Sequence, residues 1–346
     1  MKNVRIRKLA VLLLIIALVL SALAGCTAEK QEEVPVVEVP EAMSAPLNIG
    51  TLMGPTGMGM AGLFGREDEG FVMNLYDAPD QCMAGLLNGD LDVAAIPSNV
   101  AAVLYNKTEG GIKLLGVNTG GVLYVLSNNA EAISSLADLK GQTVYASGMG
   151  GVPEYAFKAL MAKEGLAEDD IELEWLNSHA DVVSTLISQG GYALVPEPQV
   201  TVAGTKADTV KVELDLNMMW KDAFGYDLPM GVLACRTQVA EERPGDLDYL
   251  LDAYYKVLEG YQADKDAAAE TIAAAGILPA AGVAKAAMPR CNIMLETGFD
   301  ASKSILTPLY ETLSSYNPQA VGGSIPEDGF YFAKEHPTNY SIKLEF

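Results

Sequence analysis

From residue 47 onward the chain alternates short apolar runs with segments of helical period, and this rhythm constrains the fold more than any other feature. A strand followed by a helix and another strand builds an α/β layer. Residues 47–53 and 71–76 read as strands on either side of a glycine-rich turn. A helix is predicted over 80–88, with Asp80 as N-cap and Gly89 as stop; 91–96 is the next strand, and Ser98 caps a helix running to Tyr105. Residues 112–128 are β-rich and broken by Gly120-Gly121, which predicts a strand that leaves one sheet, bends and enters another. The rhythm then restarts: 136–139, strand 143–147, helix 152–164, strand 171–176, helix 180–189 and strand 192–195. Residues 232–236 read as a returning strand, and helical stretches near 247–263, 267–275 and 298–316 close the first unit. The stretch from Leu47 to Phe346 is large for one core. The expected fold class is therefore α/β, with two doubly wound lobes joined by crossing hinge strands. Residues 47–121 and 237–346 are assigned to lobe 1 and 122–236 to lobe 2.

Residues 1–25 have the form of a secretory signal peptide: Lys2, Arg5, Arg7 and Lys8 precede an apolar run and then small residues. The apolar core falls short of the roughly 18 to 20 residues that span a bilayer, so a permanent membrane helix is the weaker reading. The ending Leu23-Ala24-Gly25-Cys26 resembles the bacterial lipobox. That resemblance implies a lipid on the Cys26 thiol, with Cys26 as first mature residue; the alternative is a buried cysteine that happens to follow an apolar run. Acyl chains contribute about 0.8 kcal/mol per buried CH₂, enough for two or three to hold a protein on the outer face of the cell membrane. Residues 26–46, rich in Glu, Val and Pro, read as an extended tether.

Charge and cysteine usage exclude several classes. The chain carries 23 basic and 45 acidic residues, a net charge of −22, which repels nucleic acid and anionic headgroups. Cys82, Cys235 and Cys291 lack metal-ligand spacing, and His179 and His336 are the only imidazoles, so no zinc site is readable. The three cysteines read as buried small side chains, although one disulfide could form outside the cell. No cofactor is expected, and the chain is expected to be a monomer.

Two motifs suggest enzymes. Residues 57–62 fit GxGxxG after a strand, and Asp77 stands where a ribose-binding acid would. An exported dinucleotide-dependent oxidoreductase is nevertheless disfavoured, and close approach of backbone to a small ligand is the simpler use, with Met58 and Met60 as adaptable wall or buried packing. His179-Ala180-Asp181 falls at a predicted helix start and no GxSxG elbow occurs, so His179 reads as a surface or capping residue rather than part of a triad. The chain is not expected to be an enzyme.

Three stretches carry a family resemblance: Leu86-Leu87-Asn88-Gly89-Asp90-Leu91-Asp92-Val93-Ala94, Ile133-Ser134-Ser135-Leu136-Ala137-Asp138-Leu139-Lys140-Gly141-Gln142-Thr143-Val144, and Val195-Pro196-Glu197-Pro198. In order and spacing they resemble the periplasmic substrate-binding proteins of nitrate, sulfonate and taurine importers and their relatives that bind thiamine-pyrimidine precursors. The resemblance covers most of residues 47–316. It implies a type II-like periplasmic binding protein fold, a small-molecule ligand between the lobes, and an ABC permease with its ATPase as partners. A sensor or scaffold lipoprotein of the same fold is the alternative.

Open α/β sheets hold ligands beyond the carboxyl ends of their strands. The candidates there are Thr56, Gly57 and Met58; Ser98 and Asn99; Thr119 and Gly120; Gly148, Gly150 and Val152; Asn177; and Glu197, with Trp220 added as a stacking surface. Several precede helices, whose N–H groups hold anions or carbonyls; each serves equally as a cap or turn. No Arg or Lys falls at these strand ends, Arg66 being the nearest, which counts against simple inorganic anions. Glu197 is predicted to point into the cleft and accept from amino or ring N–H groups. Trp220, Tyr76, Tyr124 and Tyr155 are the candidates for stacking a flat ring. The alternative is that Glu197 caps a helix beginning near Gln199 and that Trp220 is core. The balance favours an uncharged or cationic nitrogen-containing ligand over a sulfonate, with closure hinged at Gly120-Gly121 and Met230-Gly231.

Overall fold

The computed structural model describes residues 38–337 and 339–346. The signal peptide, Cys26 and most of the tether lie outside the described residues.

Two mixed sheets organise the chain. The first has the order β12-β11-β4-β10-β3-β1-β2. Strands β1 (Leu47–Leu52), β2 (Phe71–Tyr76) and β3 (Val93–Pro97) are mutually parallel, with β1 paired to β2 from Leu47 opposite Phe71 to Leu52 opposite Tyr76. β10 (Gly231–Arg236) runs antiparallel between β3 and β4 (Ile112–Thr119), and β11 (Ile293–Glu296) runs antiparallel to β4, with β12 (Ser341–Lys343) at the edge. The second sheet has the order β7-β6-β8-β5-β9. It comprises β5 (Leu123–Asn128), β6 (Thr143–Ala146), β7 (Glu172–Trp175), β8 (Gly191–Pro196) and β9 (Val210–Asp215), with β6 parallel to β7 and β8, and β5 antiparallel to β8 and β9.

The apolar run over 112–128 is divided as its glycines imply: β4 lies in one sheet and β5 in the other. Both are buried almost throughout, which is why they read as near-continuous apolar sequence rather than alternation. The bend is pinned by Asn217, whose Oδ1 accepts from the Leu123 N–H at 3.0 Å. A Cβ at Gly121 would sit 2.2 Å from that same oxygen, so a larger residue there would displace the Asn217 side chain from the bend.

The helices are α1 (Pro55–Met58), α2 (Pro79–Asn88), α3 (Ser98–Lys107), α4 (Val152–Lys163), α5 (His179–Gln189), α6 (Gln199–Lys206), α7 (Leu216–Phe224), α8 (Thr237–Glu242), α9 (Pro244–Ala263), α10 (Lys265–Ala274), α11 (Ala281–Ala287) and α12 (Phe299–Tyr316). Helices α9 and α10 cover one face of the first sheet, where Leu250, Leu251, Tyr254 and Ile272 meet Ile49, Phe71 and Leu233. A second core runs from α3 and α12 on its other face to α4 and α7 on the second sheet, through Leu104, Leu309, Tyr310, Phe157 and Trp220. Val182, Val183 and Leu186 of α5 and Val200 of α6 close the far face of the second sheet. Each fully buried side chain of this size contributes about 1.5–3 kcal/mol. No helix among the described residues is long and apolar enough to cross a membrane.

Local departures have local causes. Helix α2 starts at Pro79, because the Gln81 side chain accepts from the backbone N–H groups of Asp77 and Ala78; Asp80 is in the first turn and does not cap. Gly89 does end it, at φ 83°. Ser98 is the first residue of α3 rather than its cap, its hydroxyl donating to the Pro229 carbonyl at 2.9 Å. Residues 231–236, assigned above to lobe 2, lie in the first sheet, since β10 pairs with β3 and β4. Cys82, Cys235 and Cys291 are free and buried.

Candidate ligand site between the two sheets

The register of β11 decides what faces the space between the sheets. Because β11 is antiparallel to β4, with Ile293 opposite Thr119, its amino end meets the carboxyl end of β4. Residues 290–292 therefore lie against the crossing: the Gly120 N–H donates to the Asn292 carbonyl at 2.8 Å, and Asn292 Nδ2 donates to the Gly121 carbonyl at 2.5 Å. From the second sheet, the Tyr124 hydroxyl donates to the Arg290 carbonyl at 3.2 Å. Pro198, just past β8, stands 3.6 Å from where a Cβ on Gly54, just past β1, would be.

Arg290 joins the sheets through its side chain. Its Nε donates to Glu197 Oε1 at 2.5 Å and its Nη2 to Thr201 Oγ1 at 2.8 Å. Thr201 in turn donates its backbone N–H to Glu197 Oε2 at 3.1 Å and its hydroxyl to Oε1 at 3.0 Å. The Glu197 side chain is 0% exposed while that of Arg290 is 37% exposed. Burial pushes the Glu197 carboxyl above the ordinary range, opposed by the charge of Arg290. Nη1 of Arg290 takes no partner among the described residues. The guanidinium is thus held through Nε and Nη2 in a side chain that stays partly exposed.

The Glu197 carboxylate, expected to point into the cleft, is buried here: both oxygens accept from Thr201 in the first turn of α6 and Oε1 also accepts from Arg290. No cation stands at those carboxyl strand ends, but Arg290, just before the amino end of β11, brings one beside the crossing. The one available signal was the apolar run Ile293-Met294-Leu295 just after Arg290.

The remaining candidates divide. Thr119 and Gly120 lie at the crossing, and Ser98 beside it, its N–H donating to the Met230 carbonyl at 3.0 Å. The Thr56 carbonyl accepts from Asn118 Nδ2 at 3.3 Å. Gly57 is packed with its Cα against the Leu52 carbonyl. Met58 is core, its sulfur 3.7 Å from the Cys291 thiol. Asn99 donates to the Ala320 carbonyl at 3.3 Å, turned onto the segment after α12 rather than the cleft. Gly148 and Gly150 have φ 87° and 78° in the turn after β6, Val152 is buried at the start of α4, and Asn177 is exposed after β7. Trp220 is fully buried, stacked on Phe224 at 4.1 Å with Tyr226 edge-on at 5.8 Å. It is a core residue and has no face to offer a ligand.

His179 also differs from expectation. Ser178 caps α5, accepting from the Asp181 N–H at 3.1 Å, while His179 Nδ1 is hydrogen-bonded to Ser147 Oγ at 2.5 Å. Burial lowers its affinity for a proton, so the ring is neutral near pH 7. The GxGxxG glycines serve packing: a Cβ at Gly59 would meet the Tyr254 hydroxyl at 2.4 Å, and one at Gly62 the Val257 methyls at 2.9 Å, both on α9.

Comparison with known proteins agrees with this architecture. The family model described as NMT1/THI5 like matches residues 86–268, more than half of the chain. No curated protein matches the sequence. Among solved structures, an ABC transporter protein of Parabacteroides distasonis aligns with TM-score 0.69 at 20% identity, covering 83% of this chain and 98% of that one. The periplasmic aliphatic sulphonate-binding protein SsuA of Escherichia coli aligns with TM-score 0.66 at 17% identity, covering 81% and 94%. The periplasmic nitrate-binding protein NrtA of Synechocystis PCC 6803 aligns with TM-score 0.54 at 14% identity, covering 68% and 67%. The fold is the two-lobed periplasmic binding protein fold, and the chain belongs to the NMT1/THI5-like family.

Proposed function

We propose that this protein is an extracytoplasmic solute-binding lipoprotein of an ABC importer, anchored through Cys26 and working as a monomer without catalysis. It captures a small organic molecule between its lobes and delivers it to a permease driven by an ATPase. Lobe 1 carries the seven-stranded sheet and lobe 2 the five-stranded one, and the segments at Gly120-Gly121 and before Gly231 act as hinges. The resemblance of Leu23-Ala24-Gly25-Cys26 to a lipobox, the two-sheet fold and the kinship with binding proteins support this reading.

The observation that carries the ligand assignment is Arg290. A guanidinium fixed by Glu197 and Thr201, with no partner for Nη1 among the described residues and a side chain partly exposed, is a preorganised donor for an anionic oxygen. With Glu197 occupied, the case for a cationic ligand lapses, and the solute is an organic anion.

A thermal-shift panel of sulfonates, carboxylates, nitrate, pyrimidines and amines on the mature domain tests this. A ligand at a hundred times its Kd stabilises the fold by about 2.7 kcal/mol. Arg290→Lys keeps a cation against Glu197 and removes the open fork, so it should abolish shifts given by anions. A panel in which only amines or neutral rings stabilise the protein, undiminished in Arg290→Lys, would refute the assignment.

A further inference from the structure

The segment that follows α12 is fastened to the first sheet's helices and yet reaches the second sheet's. Its 3₁₀ turn (Pro318–Val321) lies on α3. The Asn99 side chain donates to the Ala320 carbonyl at 3.3 Å, and Asn106 Nδ2 to the carbonyls of Val321 and Ser324, each at 2.6 Å. A Cβ on Gly322 would stand 2.9 Å from the Val103 Cα, so the turn is pressed against that helix. Just before it, Asn317 Nδ2 donates to the Tyr155 hydroxyl at 3.0 Å. The Tyr316 ring stacks on that of Tyr155, with centroids 6.2 Å apart and planes at 28°. Tyr155 belongs to α4, which follows β6 of the second sheet, and is only 5% exposed.

The place of this contact is what gives it a consequence. Helix α3 begins directly after β3, and α4 directly after the turn that follows β6, so both start on the side where open α/β sheets hold their ligands. A hydrogen-bonded path joins the strand ends of one sheet to those of the other. It runs from Asn99 to the Ala320 carbonyl, from the Ala320 N–H to the Asn317 carbonyl at 2.9 Å, from Asn317 Nδ2 to Tyr155, and from the Tyr155 N–H to the Gly151 carbonyl at 3.4 Å. Between the lobes that path depends on one side-chain hydrogen bond and one ring pair. Each is a modest interaction, small enough to be made and broken as the lobes move.

We propose that Tyr155, Tyr316 and Asn317 form a latch between the lobes, made as they approach and broken as they part. The latch supplies part of the free energy of closure, so the solute has less to supply, and it raises the affinity of every solute the cleft takes by the same factor. The inference rests on the two lobes closing about the crossing strands.

The test needs no ligand. Lys107 and Ala162 are exposed near the far ends of α3 and α4, and Lys107→Cys with Ala162→Cys accepts two spin labels, since Cys82, Cys235 and Cys291 are buried. Electron–electron double resonance then reads the distribution of distances between the lobes. Tyr155→Phe removes the accepting hydroxyl and keeps the ring. Asn317→Ser keeps an oxygen for the Gln319 N–H, which Asn317 Oδ1 accepts at 3.0 Å, but is too short to reach Tyr155. Each should move the closed-to-open ratio about fivefold towards open, and the double variant should go no further than either single. A distribution unchanged in both singles, or effects that add in the double, overturns the latch. That failure is distinct from failure of the solute assignment, which the thermal-shift panel reads.

Discussion

Replacing Arg290 by Met removes the cation from a carboxylate that is itself wholly inaccessible. Glu197 then retains only the N–H and hydroxyl of Thr201. Breaking a fully buried ion pair from one side costs about 3–5 kcal/mol. Arg290 is 37% exposed, so solvent already screens part of the attraction, and the expected loss is about 2–3 kcal/mol at pH 7. The pH dependence follows from the raised Glu197 carboxyl. A carboxyl raised in the folded state contributes stability below its unfolded pKa and loses it as pH rises through the folded value. Removing Arg290 raises it further, so the deficit should widen as pH rises above the unfolded carboxyl value of about 4.3. Urea unfolding followed by circular dichroism measures this. The Glu197→Gln, Arg290→Met double variant should be less impaired than the sum of the singles by about 1–2 kcal/mol. A single-variant loss under roughly 0.5 kcal/mol at pH 7, or strict additivity, would refute the clamp.

Trp220→Ala should destabilise the fold by about 3–5 kcal/mol through lost packing, while ligand affinity measured well below the melting range stays within twofold; a selective loss of affinity would return Trp220 to the site. Asp248 is buried on α9, with His336 Nδ1 at 3.1 Å and Asp252, already bonded to Lys256 and Tyr340, one turn on. Burial pushes its carboxyl up to about 7, so its contribution is present below the unfolded value and lost as pH rises through about 7. Asp248→Asn should accordingly be more stable than the parent at pH 8 and lose that advantage towards pH 4; parallel urea midpoints across this range would contradict it. Cys26→Ser should move the protein from the detergent phase to the aqueous phase in a phase-partition assay of whole cells, and retention in the detergent phase would refute lipid anchoring.

What was legible in the sequence was what local chemistry decides. The strand over 71–76, the glycine stop at Gly89 and the change of sheet at Gly120-Gly121 follow from apolar pattern and backbone freedom within a few residues. What escaped depends on partners distant in sequence. β11 is four residues long after a 3₁₀ turn, and its direction is set by pairing with β4; without that pairing nothing brings Arg290 to the crossing or turns Glu197 away from a ligand. β9 does not stand out in the sequence although Val210, Val212 and Leu214 alternate, because it is an edge strand with Val212 left exposed. Trp220 on an amphipathic helix reads the same whether it faces core or ligand, and only the packing of Phe224 and Tyr226 on it decides.

The central claim, capture of a solute by closure of two lobes about the crossing strands, is tested most directly by small-angle scattering of the mature domain. The measurement is made with and without a saturating anion chosen from the thermal-shift panel. The account expects a smaller radius of gyration with ligand, and no such change in Arg290→Lys, which cannot hold the anion. An unchanged radius in the parent, with binding established independently by calorimetry, would contradict closure as the mechanism of capture.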